Sequence, residues 1–212
     1  MYAVIMAGGR GTRFWPRSRA KKPKHLLDIT GGRTMIQETV NRIRPLIAPE
    51  KILVVTGRNH AWTLFNQLPE IPHENIIIEP QGKNTAPCIG LAALHVRKRA
   101  TDEIMVVLAA DHAVTDPRKF QQALKVALQA AESPEALVTI GIKPTSPQTG
   151  FGYIEQGEAA DVGRRGDVFR VKSIREKPDL RQAQLFLHNG NFFWNSGMFV
   201  WRASTILKAI AR

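Results

Sequence analysis

Tyr2-Ala3-Val4-Ile5-Met6-Ala7-Gly8-Gly9-Arg10-Gly11-Thr12-Arg13 is the stretch on which the fold turns. Residues 2–6 are a continuous apolar run, the pattern of a strand covered on both faces of a parallel sheet. Glycines 8, 9 and 11 then allow backbone N–H groups to approach an anion closely. Arg13 and, further along, Lys24 add charge that can follow phosphate groups. The pattern fits neither G-x-G-x-x-G nor the Gly-Lys-Ser/Thr ending of a P-loop. A glycine-rich structural turn with a solvated basic flank is the competing reading of the same residues.

Outward from this stretch, apolar runs and helical periodicities alternate. Thr34 and Gln37 form a capping-box pattern, and Ile36, Val40 and Ile43 recur at helical spacing until Pro45. A strand over 51–56, a short helix over 62–68, a strand over 75–78 and a helix over 85–99 follow. The next elements are a strand at 104–108, a helix starting at Asp116-Pro117 and a strand at 136–140. Such alternation predicts an α/β fold, a Rossmann-like mixed and mainly parallel sheet flanked by helices. After Thr145 the texture changes, with short strands around 153–155 and 168–175, a helix over 180–189, a strand at 198–201 and a helix capped by Ser204. This part reads as a partly antiparallel substrate-binding extension. We therefore expect one domain over 1–212, with its two textures meeting at residue 145. The final helical pattern is expected to run on at residue 212, as in a domain cut before completion.

The 212 residues carry 30 Lys and Arg against 18 Asp and Glu, a net charge of +12. Charge of that size invites a nucleic-acid reading. However, residues 1–27 hold seven basic residues and no acidic one, interleaved with glycine in the manner of a phosphate cradle, so no nucleic-acid partner is expected. A single cysteine, Cys88, excludes an internal disulfide and a cysteine-based zinc site within the chain. No apolar run approaches the ~20 residues that cross a bilayer. Cytoplasmic residence without a membrane partner is the expectation.

Three further positions bear on chemistry. Asp111 follows the apolar strand at 104–108, at the edge where open α/β sheets bind ligands; capping a turn is its plain alternative. Asn84 and Thr85 open a helix, so either an N-cap or a polar-ligand site fits them. Glu176-Lys177-Pro178 ends a strand, and an exposed ion pair worth about 0–1 kcal/mol is the ordinary explanation of the two charges.

Taken together, A-G-G-R-G-T-R-F-W-P at 7–16 and K-P-K-H-L-L at 22–27 resemble the signature of the sugar-nucleotide pyrophosphorylases. Glu79-Pro80 with Lys83-Asn84-Thr85-Ala86-Pro87, Ala110-Asp111-His112, Gly150–Glu155 with Glu176-Lys177-Pro178, and Trp194-Asn195-Ser196-Gly197-Met198-Phe199 follow in order. These pieces resemble the mannose-1-phosphate guanylyltransferase branch, and with it the nucleotide-diphospho-sugar transferase fold. The resemblance implies one catalytic domain over 1–212, with a nucleotide-binding half at 1–145 and a sugar-binding part at 146–212, that makes GDP-mannose and pyrophosphate from GTP and mannose 1-phosphate. Another hexose-1-phosphate nucleotidyltransferase using UTP, dTTP or ATP, or a nucleotide-binding module with little turnover, are the rival readings.

By the same resemblance Arg13, Lys24 and Asp111 are catalytic. Ala7, Gly8, Gly9, Gly11, Thr12, Arg13, Lys24, Glu79, Pro80, Asn84 and Thr85 contact the nucleotide. Gly152, Glu155, Glu176, Lys177 and Asn195 contact the sugar phosphate. Asp111 holds Mg²⁺ with a second aspartate expected beyond residue 212, and a homodimer is compatible with the family. His112 and Phe193 are expected to pack rather than to bind. His25 stands where the family usually has glutamine, and Ala109-Ala110 where Pro-Ala is common.

Overall fold

The apolar run at 2–6 forms β1 (Tyr2–Ala7), whose residues alternate between two helical layers. The computed structural model describes residues 1–9, 15–19, 23–29, 31–162 and 168–212. Ala3, Ile5 and Ala7 face one layer, built from α1 (Met35–Ile43), α2 (Arg58–Gln67) and α4 (Pro117–Ala130). Tyr2 and Val4 face the other, built from α3 (Thr85–Arg99) and α6 (Ala203–Ile210). The remaining strands are β2 (Ile52–Gly57), β3 (Ile76–Glu79), β4 (Ile104–Ala109), β5 (Val138–Ile142), β6 (Gly152–Ala159), β7 (Phe169–Glu176) and β8 (Phe192–Arg202); α5 (Leu180–Asn189) precedes β8. Burial on both faces explains why β1, β2 and β4 read as unbroken apolar runs. Each fully buried Ile or Leu among them contributes about 1.5–3 kcal/mol.

The eight strands form one mixed sheet in the order β3-β2-β1-β4-β8-β6-β7, with β5 also paired to β8. Parallel pairing is confined to β3, β2, β1 and β4. From β1 the chain winds outward through β2 and β3, then returns to lay β4 on the opposite side of β1. The gap between the β1 and β4 carboxyl ends is a topological switch point, where ligands of open α/β sheets bind.

β8 joins the two regions. Its end at 199–202 runs antiparallel to β4 and also pairs with β5. Its start at 192–194 pairs with β6. The change of neighbour passes through Gly197 at φ 68° and an irregularity between Thr139 and Gly141 of β5. Residue 145 is therefore no break in the sheet, since β8 pairs with strands on both sides of it.

The sequence pattern captures only residues 198–201 of this eleven-residue strand. Asn195-Ser196-Gly197 interrupts its alternation, and the hydroxyl of Ser196 replaces a ladder contact by accepting from Met198 N–H at 3.1 Å and donating to the Ile140 carbonyl at 2.5 Å. α2 begins at Arg58 rather than 62 because its polar first turn, Arg58-Asn59-His60, has no apolar period. The expected strand at 136–140 lies two residues later, at 138–142.

The capping box of α1 is present: Thr34 N–H donates to Gln37 Oε1 at 2.9 Å. Ser204, expected to cap the last helix, instead lies inside α6. Arg202 is the N-cap, and the Ser204 N–H is satisfied by Asp102 Oδ1 at 3.1 Å from before β4. The cap is a distant carboxylate, which local sequence cannot reveal. The same helix, expected to be still running at residue 212, ends at Ile210.

Replacing Gly197 by Ala places a side chain at positive φ where β8 changes neighbours. Urea denaturation should show a loss of about 1–2 kcal/mol with unchanged slope. An unchanged midpoint would mean that this turn is not strained by a side chain.

Candidate active site

Five segments meet at the carboxyl edge of the parallel strands: the ends of β1, β3 and β4, the first turn of α3, and the short 3-10 turn at Lys24–Leu26. β1 delivers Ala7, Gly8 and Gly9. The Ala7 carbonyl accepts from the Thr56 hydroxyl at 3.1 Å, tying the end of β1 to β2. Gly9 adopts φ 97°, a conformation that a side chain would strain. Gly11, Thr12 and Arg13 lie outside the described residues.

Gly8 and Glu79 form the first contact. A Cβ at Gly8 would come within 3.3 Å of Glu79 Oε2, so absence of a side chain admits the carboxylate beside the β1 loop. Glu79 is buried, which raises its pKa, while a hydrogen bond from the Cys88 thiol opposes that shift. Burial, reinforced by Glu79, pushes the Cys88 thiol up to about 12, so it is an inert donor to the carboxylate. Pro80 follows at the strand end.

Asn84 occupies the N-cap of α3 but makes no side-chain capping bond. Its backbone, at φ 65° and ψ −158°, lies in a region essentially reserved for glycine. Among the described residues, the non-glycine residues at positive φ are Asn84 and Lys177, at 46°. Each such conformation costs about 1–3 kcal/mol, and both residues are among the binding residues expected from the sequence. Asn84 therefore leads into Thr85 and the amino end of α3 without itself satisfying that end, which favours an anionic or polar ligand.

On the other side of the switch point, Lys24 Nζ lies 3.4 Å from Asp111 Oδ2. The Asp111 side chain is 42% exposed, so this hard oxygen donor remains accessible. Among the described residues no group of three or more His, Cys, Asp and Glu is arranged to hold a metal. Mg²⁺ commonly takes one or two carboxylates and completes its shell with phosphate and water oxygens. Asp111 fits an ion of that kind.

His25 is buried, with its pKa lowered to about 4 by burial first, then by His60, against an opposing effect of Asp111. It is neutral at physiological pH and adds no charge to the edge. Its ring meets His60 edge-on at 6.1 Å. His112 also packs, and its carbonyl accepts from Arg42 Nη1 at 3.2 Å.

A second cluster lies at the same edge. Gly152 pairs with Glu176 across β6 and β7. A Cβ at Gly152 would stand 2.5 Å from Glu176 Oε2 and 3.4 Å from Asn195 Cβ, so the three residues are in contact. Asn195 Oδ1 accepts from Gly197 N–H at 3.0 Å and the Thr139 hydroxyl at 3.4 Å, which commits the oxygen and leaves the amide nitrogen to donate outward. Lys177 Nζ is 3.8 Å from Glu176 Oε1, with both side chains mostly exposed. That pair is cheap to open.

Glu155 is not part of this cluster. Strand alternation puts it on the opposite face from Gly152 and Glu176, on the side of Tyr153. There Lys172 Nζ donates to it at 2.7 Å and Ser173 Oγ at 2.8 Å, lowering its pKa. Phe193 packs against Gly141, and Trp194 against the Tyr153, Ala183 and Phe192 cluster.

Residues 2–212 match the nucleotidyl transferase family, and the chain belongs to that family. It is 41% identical over 216 aligned residues to the mannose-1-phosphate guanylyltransferase of Escherichia coli K12, covering 100% of this chain and 45% of that protein. It is 40% identical to the alginate biosynthesis protein AlgA of Pseudomonas aeruginosa, again over 100% of this chain and 44% of the relative. A Thermus thermophilus structure described as a mannose-1-phosphate geranyltransferase superposes with a TM-score of 0.88 at 34% identity, covering 100% of this chain and 60% of that one. The chain thus spans under half the length of these curated relatives.

Gly152→Ala should displace Glu176, because the added methyl has no room beside its carboxylate. If this cluster holds a sugar phosphate, as the sequence resemblance implies, calorimetry should show at least tenfold weaker sugar-phosphate binding with the melting temperature nearly kept. Unaltered affinity would remove the Gly152, Glu176 and Asn195 cluster from the site.

Proposed function

We propose that this chain carries out nucleotidyl transfer from GTP to mannose 1-phosphate, forming GDP-mannose and pyrophosphate. The observation that carries the reading is the shared edge. The Gly8 and Glu79 contact, the Lys24 and Asp111 pair and the Gly152, Glu176 and Asn195 cluster all open on it. Support for the particular substrates comes from the names of relatives about 40% identical along the whole chain.

Glu79 suits a guanine. A carboxylate accepts twice, matching the two adjacent donors, N1–H and the 2-amino group, on one edge of that base. Uracil, thymine and adenine each present an acceptor in at least one of those positions. Gly8 and Gly9 let the β1 loop approach the nucleotide, and the amino end of α3 offers further donors. Arg13, Gly11 and Thr12 belong to this cradle by their sequence motif. A cytoplasmic location goes with nucleotide substrates.

The sugar-phosphate oxygen is already ionised at neutral pH, so it can attack the α-phosphorus in line without a general base. Catalysis then comes from positioning and charge stabilisation. Lys24 and Arg13 neutralise the triphosphate and the departing pyrophosphate. Lys177 draws in the sugar phosphate, while Glu176 and Asn195 hold sugar hydroxyls. Mg²⁺, held in part by Asp111, would supply further neutralisation of phosphate charge.

Pyrophosphate release with mannose 1-phosphate and Mg²⁺ should be GTP-selective over UTP, dTTP and ATP. In Glu79→Gln, an amide donor replaces one acceptor, so kcat/KM for GTP should fall about 10–100-fold, the worth of a charge-assisted hydrogen bond. UTP or dTTP should lose less. No turnover with any nucleotide, or equal losses for all four, contradicts the reading.

A further inference from the structure

Arg42 is 8% exposed on the inner side of α1 and has no carboxylate within 4 Å among the described residues, Glu38 one turn back acting on it only at longer range. Burying a charge in this way is costly, and an apolar side chain of similar volume would fill the space without that cost. One of its donors goes to the segment after β4 and another to its own helix, while buried Nε has no partner among the described residues. Nη1 donates to the His112 carbonyl at 3.2 Å, and Nη2 donates to the Thr39 hydroxyl at 2.9 Å. That hydroxyl donates to the Met35 carbonyl at 2.9 Å and lies 3.5 Å from the Ala110 carbonyl. The guanidinium carbon stands 5.3 Å from the centre of the Phe120 ring of α4, and Gln121 of the same helix donates to the Arg42 carbonyl at 2.9 Å.

Asp111 thus lies between two anchored backbone groups, one on the residue before it and one on the residue after it. On its amino side Ala110 N–H donates to the Met6 carbonyl of β1 at 3.1 Å. On its carboxyl side the described hydrogen bond to the backbone is the one from Arg42. Helix α1 in turn carries no residue of the edge itself, so Arg42 acts on it from behind.

We propose that Arg42 is a positioning residue, which holds the His112–Ala113 peptide, one residue past Asp111, so that this carboxylate faces the phosphate edge beside Lys24. The inference rests on the nucleotidyl-transfer reading for its kinetic consequence. Arg42 touches no substrate in this scheme, so its loss acts through Asp111 and leaves nucleotide contacts at Gly8 and Glu79 intact. Three properties follow. Turnover falls while GTP affinity holds, the loss vanishes once Asp111 is disabled, and a shorter reach of the charged group restores the function in part.

The experiment compares Arg42→Met and Arg42→Lys in the wild-type and Asp111→Asn backgrounds, with kcat, KM for GTP, melting temperature, and Mn²⁺ binding in the presence of GTP by water-proton relaxation. Arg42→Met should lower kcat at least tenfold with KM within threefold, and weaken Mn²⁺ binding by a similar factor. In the Asp111→Asn background it should change kcat less than twofold. Arg42→Lys, which keeps the charge and reaches one carbonyl, should recover part of both, and it carries the test if the Met variant does not fold. Wild-type kcat and Mn²⁺ affinity in both variants, or an undiminished Arg42 effect in Asp111→Asn, overturns the proposal. Absence of pyrophosphate release from the wild-type chain would instead overturn the functional reading, with the Mn²⁺ titration still reporting whether Arg42 governs Asp111.

Discussion

The antiparallel register of β8 against β4 is the constraint on which the site depends. Val107 pairs with Phe199, and each step forward along β4 is one step back along β8. The residues past β4 therefore reach the level of Gly197 and Asn195 as they leave the sheet. Because Tyr153 of β6 pairs with Trp194, Gly152 reaches the same level. A shift by one residue would turn Asn195 to the other face and separate it from Glu176. One strand shared between a parallel and an antiparallel region thus aligns two sets of loops on one edge.

Charge at that edge is arranged rather than merely abundant. The chain carries +12 overall, yet Lys24 already faces a carboxylate and the adjacent His25 is held neutral by burial. Glu79 is kept from water beside Gly8, where its acceptors count for more than they would in solvent. The backbone at Asn84 and Lys177 is held in costly conformations on the two sides of the edge. Such strain persists where the surroundings over-determine it, and here it falls at two residues of the candidate site.

Much of this was legible in the sequence because buried parallel strands carry continuous apolar runs. β1, β2, β3, β4 and the helices α1, α3 and α4 follow from those runs and from the helix-opening residues Thr34, Asn84 and Asp116, although Asn84 makes no capping bond. The motif residues Gly8, Glu79, Asn84 and Asp111 fall at the edge because each follows a strand or opens a helix. What local pattern could not reveal depends on partners far away in the chain. β8 is hidden by Asn195-Ser196-Gly197, and the α6 cap comes from Asp102. Glu155 belongs to the same motif as Gly152 yet lies on the other face, a distinction that strand parity alone would make once the strand is known. Arg42 gave no signal, since the contact that matters is to a single backbone carbonyl 70 residues on.

The central claim is that nucleotide and sugar sites share one edge, joined across β4 and β8. The most direct measurement is a crystal structure of this chain with GDP-mannose and Mg²⁺. The account predicts guanine beside Gly8 and Glu79, phosphates between Lys24 and Asp111, and the hexose among Gly152, Glu176 and Asn195. A hexose bound on the Glu155 and Lys172 face, or a nucleotide away from the β1 and β4 ends, would contradict it.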